Sequence, residues 1–150
     1  MLNSYVQSKA EEQNISLKLT IAAGLPPVLG DRIQLQQVLF NLIFNAIEAI
    51  ADEGRDLREI VVRALREKSD AVTISVRDSG VGIDEKQMDI LFDAFYTTKT
   101  EGMGMGLSIS RLIIEDHGGR LWATRNPDKG TTFSVTIQLH SIFVHLGLLE

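Results

Sequence analysis

Apolar residues occupy every second position from Ile15 through Leu17 and Leu19 to Ile21, and this period of two predicts a half-buried strand. Gly24, Pro26, Pro27 and Gly30 interrupt the pattern, and a different period begins at Asp31. Asp31 is placed as a helix N-cap, with Gln34 three residues later in capping-box spacing. The helix runs to about Ala51, before the polar stretch 52–56. Two strands are expected at 59–65 and 72–76, turned near Ser69 and Asp70. A glycine loop at 78–83 leads to a short helix at 85–91.

Residues 92–106 show no sustained period and read as a long loop ending in three glycines. A helix from Leu107 to about Asp116 stops at His117-Gly118-Gly119. Strands at 121–124 and 131–139 close the pattern as a hairpin. Residues 3–13 are polar and weakly helical. The order β-α-ββ-α-loop-α-ββ predicts an α+β fold, a two-layer sandwich with a mixed, mostly antiparallel sheet and helices on one face. The expected division is a connection to a missing upstream domain at 1–14, one domain at 15–139 and an apolar tail at 140–150.

Composition narrows the picture without changing it. The 150 residues are 44% hydrophobic and 23% charged, which suits one globular domain. A net charge of -5 argues against nucleic acid or an anionic membrane as partner, so a polyanionic ligand needs local devices to hold it. No cysteine is present, which removes disulfides and thiolate metal sites and suits a cytoplasmic setting. No apolar run is read as reaching the roughly 18 residues of a membrane span, so any anchor of the full protein would lie elsewhere.

Four segments carry chemistry. In the long helix, Gln37, Asn41 and Asn45 follow at four-residue steps and form one polar stripe on an otherwise apolar cylinder. Leaving a buried amide unpaired costs about 1–3 kcal/mol. The stripe therefore either hydrogen-bonds a loop or offers oxygen ligands to a hard cation such as Mg²⁺. Asp78-Ser79-Gly80-Val81-Gly82-Ile83 ends a strand. Its glycines permit close approach to a flat ligand, and Asp78 can accept from an exocyclic amine; a surface turn explains the same pattern. Gly102-Met103-Gly104-Met105-Gly106-Leu107 opens into a helix, where exposed N–H groups bind phosphate, with Lys99 upstream as a counter-charge or an ordinary solvated lysine. Thr131, in Gly130-Thr131-Thr132-Phe133, shares a strand face with Phe133 and Val135, so its hydroxyl can face a ligand or a water.

In this order and separation the segments resemble the catalytic ATP-binding domain of sensor histidine kinases, within the superfamily shared with DNA gyrase, the Hsp90 chaperones and MutL. Asn41–Glu48 looks like the N box, 78–83 the first glycine box, 91–99 the F box and 102–107 the second glycine box. The phrases DRIQLQQVLFNLIFNAIEAI and FYTTKTEGMGMGLSISRLIIEDHGGRLWA are most similar to the oxygen-sensing and nitrogen-regulatory branch. The resemblance implies a Bergerat-type fold that binds ATP and Mg²⁺. Asn45 would ligate the metal with Asn41 assisting. Asp78 would take the adenine amine, with Thr131 nearby through water, and Gly80, Gly82 and Ile83 would shape the pocket. Phe92 and Phe95 would anchor a lid. Thr98, Lys99, Gly102, Gly104, Gly106, Leu107 and Ser108 would hold the phosphates.

The resemblance also implies a reaction. Hydrolysing members usually carry a glutamate one turn before the metal-binding asparagine, where this chain has Asn41, a group that takes no proton at neutral pH. Transfer to a histidine is favoured over hydrolysis, with Asn41, Asn45 and Lys99 as the catalytic set and positioning as the main source of rate. His117, His140 and His145 stand outside any phosphoacceptor motif. The isolated chain, expected to be a monomer, should bind ATP without autophosphorylating. Its implied partners are a separate dimerisation and phosphoacceptor domain and a downstream response regulator. The alternatives are a serine kinase like the anti-sigma factors, which Asn41 disfavours, and a catalytically silent module binding nucleotide or a partner protein.

Overall fold

The computed structural model describes residues 4–25, 30–51, 57–67, 70–93 and 106–138. The described elements are α1 (Ser4–Glu12), β1 (Ser16–Ile21), α2 (Arg32–Ala51), β2 (Glu59–Glu67), β3 (Ala71–Asp78), α3 (Glu85–Ile90), α4 (Gly106–Asp116), β4 (Arg120–Arg125) and β5 (Thr131–Gln138). The five strands form one sheet in the order β1-β2-β3-β5-β4. β1 and β2 run parallel with α2 crossing between them, and every other pair is antiparallel. The α+β sandwich expected from the periodicities is the observed architecture.

Alternation explains which face is covered. Val72, Ile74 and Val76 of β3 and Phe133, Val135 and Ile137 of β5 are buried, and the register sets them side by side as Val72↔Ile137, Ile74↔Val135 and Val76↔Phe133. Ile60, Val62 and Ala64 extend the layer into β2, and Leu121 extends it into β4. Against it lie Leu35, Val38, Leu39, Leu42, Ile43 and Ala46 of α2 and Ile114 of α4. Each fully buried Leu or Ile contributes roughly 1.5–3 kcal/mol. α2 is long and apolar enough by composition to cross a membrane, which corrects the sequence reading; most of its apolar residues face this core, while Ile33 is exposed.

Two local features differ from expectation. β1 is an edge strand whose Leu19 and Ile21 are 36% and 42% exposed, so its alternating pattern buries little beyond Ile15 and Leu17. The segment read as a connection contains α1, and its Val6 and Ala10 are fully buried members of the core. Arg58 ties α1 to α2 by donating to the Gln13 carbonyl through Nε at 3.0 Å and to the Ile50 carbonyl through Nη1 at 3.1 Å. These carbonyls lie where helices leave acceptors unpaired.

Candidate functional site

Both strand stripes that build the core finish on a polar residue at the same end of the sheet. In β3 the buried series 72, 74, 76 continues to Asp78, which is 3% exposed. In β5 the series begins with Thr131, which is 2% exposed. Strand alternation alone therefore carries a carboxylate and a hydroxyl onto the helix-covered face. Asp78 Oδ1 accepts from the Gly80 amide at 2.9 Å and from the Thr131 amide at 3.2 Å. Oδ2 takes part in neither bond. No buried side-chain oxygen lacks a partner among the described residues. Burial pushes the Asp78 pKa above the ordinary carboxylate range, against the lowering effect of the two amide hydrogen bonds.

The loop after Asp78 lies against the end of α2. A Cβ on Gly80 would sit 2.6 Å from the Ala49 carbonyl oxygen, and the same oxygen accepts from the Val81 amide at 3.3 Å. Gly82 has φ +79°, a left-handed conformation that favours glycine. Ser79 secures the opposite side, with Oγ donating to the Leu57 carbonyl at 2.7 Å and accepting from the Glu59 amide at 2.9 Å. Ile83 packs half-buried on the core, and Asp84 starts α3 through a complete capping box with Gln87.

α2 and α4 supply the second wall. Asn45 is half-buried one turn before Ala49. Asn41 is also half-buried, and its Nδ2 donates to Ser110 Oγ of α4 at 3.0 Å. A Cβ on Gly106 would stand 2.7 Å from Asn41 Oδ1, so the polar stripe of α2 meets the first turn of α4 directly. Leu107 packs on the core, and Ser108 is half-buried in the same turn. Gln37, Asn41, Gly106 and Ser110 share a cleft of about 520 Å³ with Phe40 and Ile109. That cleft is on the α2–α4 side rather than over Asp78. Phe92 is edge-on to Phe133 with centroids 6.4 Å apart, and the Arg111 guanidinium stacks over it at 4.4 Å.

The described site residues thus form two groups joined through α2: Asp78, Gly80, Gly82, Ile83 and Thr131 at the sheet end, and Asn41, Asn45, Gly106, Leu107 and Ser108 between the helices. Phe92 stands where β5 and α4 meet. Phe95, Thr98, Lys99, Gly102 and Gly104 lie outside the described residues. Sequence reasoning missed Ala49, Ser110 and Asn126. The first two carry no local signature, and Asn126 was visible only as a turn residue. No cluster of three His, Cys, Asp or Glu side chains occurs among the described residues. A cation here would depend on carboxamide oxygen, ligand phosphates and water, the ligand set that suits Mg²⁺.

Residues 30–141 match the model of the histidine kinase-, DNA gyrase B-, and HSP90-like ATPase family. The sensor protein FixL of Bradyrhizobium diazoefficiens is 48% identical over 128 residues, covering 85% of this chain and 25% of that protein. The sensor histidine kinase TmoS of Ectopseudomonas mendocina is 43% identical over 132 residues, covering 86% of this chain and 14% of that protein. The chain therefore spans a quarter or less of the length of these two relatives. The nucleotide-free catalytic domain of histidine kinase ThkA superposes with a TM-score of 0.78 at 36% identity, covering 90% of this chain and 86% of that one. With the family model matched across both walls of the site, the chain belongs to the histidine kinase-, DNA gyrase B-, and HSP90-like ATPases, as an ATP-binding catalytic domain of the sensor histidine kinase type.

Proposed function

We propose that this domain binds ATP with Mg²⁺ and delivers the γ-phosphoryl group to a histidine on a separate dimerisation domain, from which a response regulator is then phosphorylated. The observation that carries the reading is Asp78: a buried carboxylate whose Oδ1 is fixed by two backbone amides, neither of which uses Oδ2. Such a group accepts the exocyclic amine of adenine in a fixed direction. Gly80 and Gly82 hold the loop against α2 and keep side chains out of the base plane, with Ile83 beside them. Thr131 lies next to the carboxylate and suits a water-bridged contact.

Phosphate binding falls to the other wall. The first turn of α4, with Gly106, Leu107 and Ser108, presents backbone N–H groups and the positive end of the helix dipole. Thr98, Lys99, Gly102 and Gly104 are assigned to the same task from the sequence pattern, and Phe92 and Phe95 to the base of the lid. Asn45 is the metal ligand in this reading. Asn41 assists: its Nδ2 donates to Ser110, and Oδ1 is the atom that would face the metal. Mg²⁺, when bound, neutralises charge on the transferring phosphoryl group. Neither Asn41 nor Asn45 can take a proton from water, which favours transfer to an imidazole over hydrolysis. We infer that the catalytic unit takes in α1, whose Val6 and Ala10 complete its core, together with the expected 15–139, and that its location is cytoplasmic, where ATP is present.

Calorimetric titration with a non-hydrolysable ATP analogue, with and without Mg²⁺, tests the binding step on wild type and Asn45→Ala. Magnesium-dependent affinity that Asn45→Ala weakens supports the site. Absence of binding in both conditions would leave a silent module in its place. Supplying the dimerisation domain in trans should then give phosphohistidine on that domain, and failure despite ATP binding would defeat the kinase assignment.

A further inference from the structure

The turn that joins β4 to β5 reaches back to Asp78 through one side chain. The β3–β5 ladder ends at Arg77↔Thr132, so Asp78 lies one residue beyond its last pair. Its backbone carbonyl accepts instead from Nδ2 of Asn126 at 2.9 Å. The same Nδ2 donates to the Lys129 carbonyl at 2.9 Å, and Oδ1 accepts from Thr132 Oγ1 at 2.6 Å. The Asn126 backbone amide adds a bond to the Gly130 carbonyl at 3.0 Å. Both amide hydrogens and the amide oxygen are therefore used. A flipped amide would set its oxygen against two carbonyls, so these partners fix its orientation.

Gly130 completes the arrangement. It has φ +88°, and a Cβ there would collide with the carbonyl oxygen of Asp78, the atom that Asn126 grips. The next residue, Thr131, donates its amide to the Asp78 carboxylate. Asn126 thus brackets Asp78 twice, holding its carbonyl directly and closing the turn that aims the Thr131 amide at Oδ1. This network is part-buried at Asn126 and Thr132, and a polar network confers orientation when every member is satisfied.

We propose that Asn126 is a positioning residue that sets the base specificity of the site by fixing the direction of the Asp78 carboxylate. The proposal rests on the reading of Asp78 as the acceptor for an exocyclic purine amine. A ligand lacking that amine gains nothing from the direction of Oδ2, so loosening Asp78 should affect it little.

The experiment measures affinity for ADP and for purine riboside diphosphate, which lacks the amine at C6, on wild type, Asn126→Ala and Thr132→Val. Thermal melts first show that each variant is folded. Thr132→Val keeps a β-branched residue in the strand and releases only the Asn126 oxygen. Wild type should prefer ADP. Asn126→Ala should lose about ten-fold in ADP affinity while purine riboside diphosphate changes less than about two-fold, and Thr132→Val should shift the ratio the same way by less. Equal losses for both ligands, or an unchanged ratio in both variants, would make Asn126 a turn brace and overturn the proposal. A wild type that does not distinguish the two ligands would instead overturn the adenine reading of Asp78, and this inference with it.

Discussion

His117 Nε2 accepts from the backbone amide of Asp31 at 2.9 Å, which joins the end of α4 to the start of α2 across 86 residues of sequence. Nδ1 lies 2.7 Å from the Ile113 carbonyl, so with Nε2 accepting, Nδ1 is the nitrogen that donates. The Asp31 carboxylate caps α2 by accepting from the Gln34 amide at 3.0 Å. The other half of the expected capping box is thus taken by His117 in place of the Gln34 side chain. His117→Phe keeps a flat aromatic ring and removes both bonds. It should cost about 1 kcal/mol by chemical denaturation, because water can reach the exposed Asp31 amide. A loss below a few tenths would show the strap to be dispensable.

Asp78→Asn separates stability from function. The folded-state pKa of Asp78 is raised by burial, so between the unfolded and folded values the native state holds more protons, and ionisation costs stability as pH rises through that window. Asparagine removes the cost while its oxygen still accepts from Gly80 and Thr131. The variant should therefore melt higher than wild type at neutral pH, with the advantage vanishing below the unfolded carboxylate pKa. Its ATP affinity should fall about ten-fold or more, since an NH₂ group would then face the adenine amine. A variant less stable at neutral pH would show that the carboxylate is not strained by burial.

The two loop glycines should fail for different reasons. Gly80→Ala places a Cβ against backbone atoms of Ala49 at 2.6–2.7 Å, and a helix end does not yield easily. A loss of about 1–3 kcal/mol is expected, with reduced nucleotide affinity. Gly82→Ala has room, its nearest contact being 3.7 Å, but imposes left-handed backbone on a side-chain-bearing residue at about 1–2 kcal/mol. Replacing Gly82 with asparagine, which tolerates that conformation, should recover part of the loss; asparagine at Gly80 should recover none.

Gly106 and Asn41 are coupled by contact. Gly106→Ala alone drives a methyl group to within 2.7 Å of Asn41 Oδ1, and the amide must rotate away from Ser110. Combined with Asn41→Ala, the clash is gone. A double-mutant cycle on folding stability should give a coupling of about 0.5–2 kcal/mol, and additive single effects would mean that the α2–α4 contact is looser than observed.

The polar ends of the core stripes show how much could be read from the chain. Val72, Ile74, Val76 and Asp78 follow a period of two, as do Thr131, Phe133, Val135 and Ile137, so burial of Asp78 and Thr131 on the helix-covered face follows from local alternation. The breaks at Gly24, Gly82 and Gly118, all with positive φ, likewise mark turns in the sequence itself. These features depend on neighbours within a few residues, where side-chain period and backbone sterics operate.

Partners distant in sequence were decided by packing. The chain gives no local sign that Asn41 would reach Ser110, that His117 would replace Gln34 at the head of α2, or that Asn126 would hold the carbonyl of Asp78. Nor does alternation reveal that β1 would lie at an edge with Leu19 and Ile21 open, since the same pattern serves a buried strand. Periodicity fixes which face an element turns inward, a property of its own backbone. Which element it meets depends on the sheet order and on the direction in which α2 and α4 cross it, and these emerge only when the whole core closes.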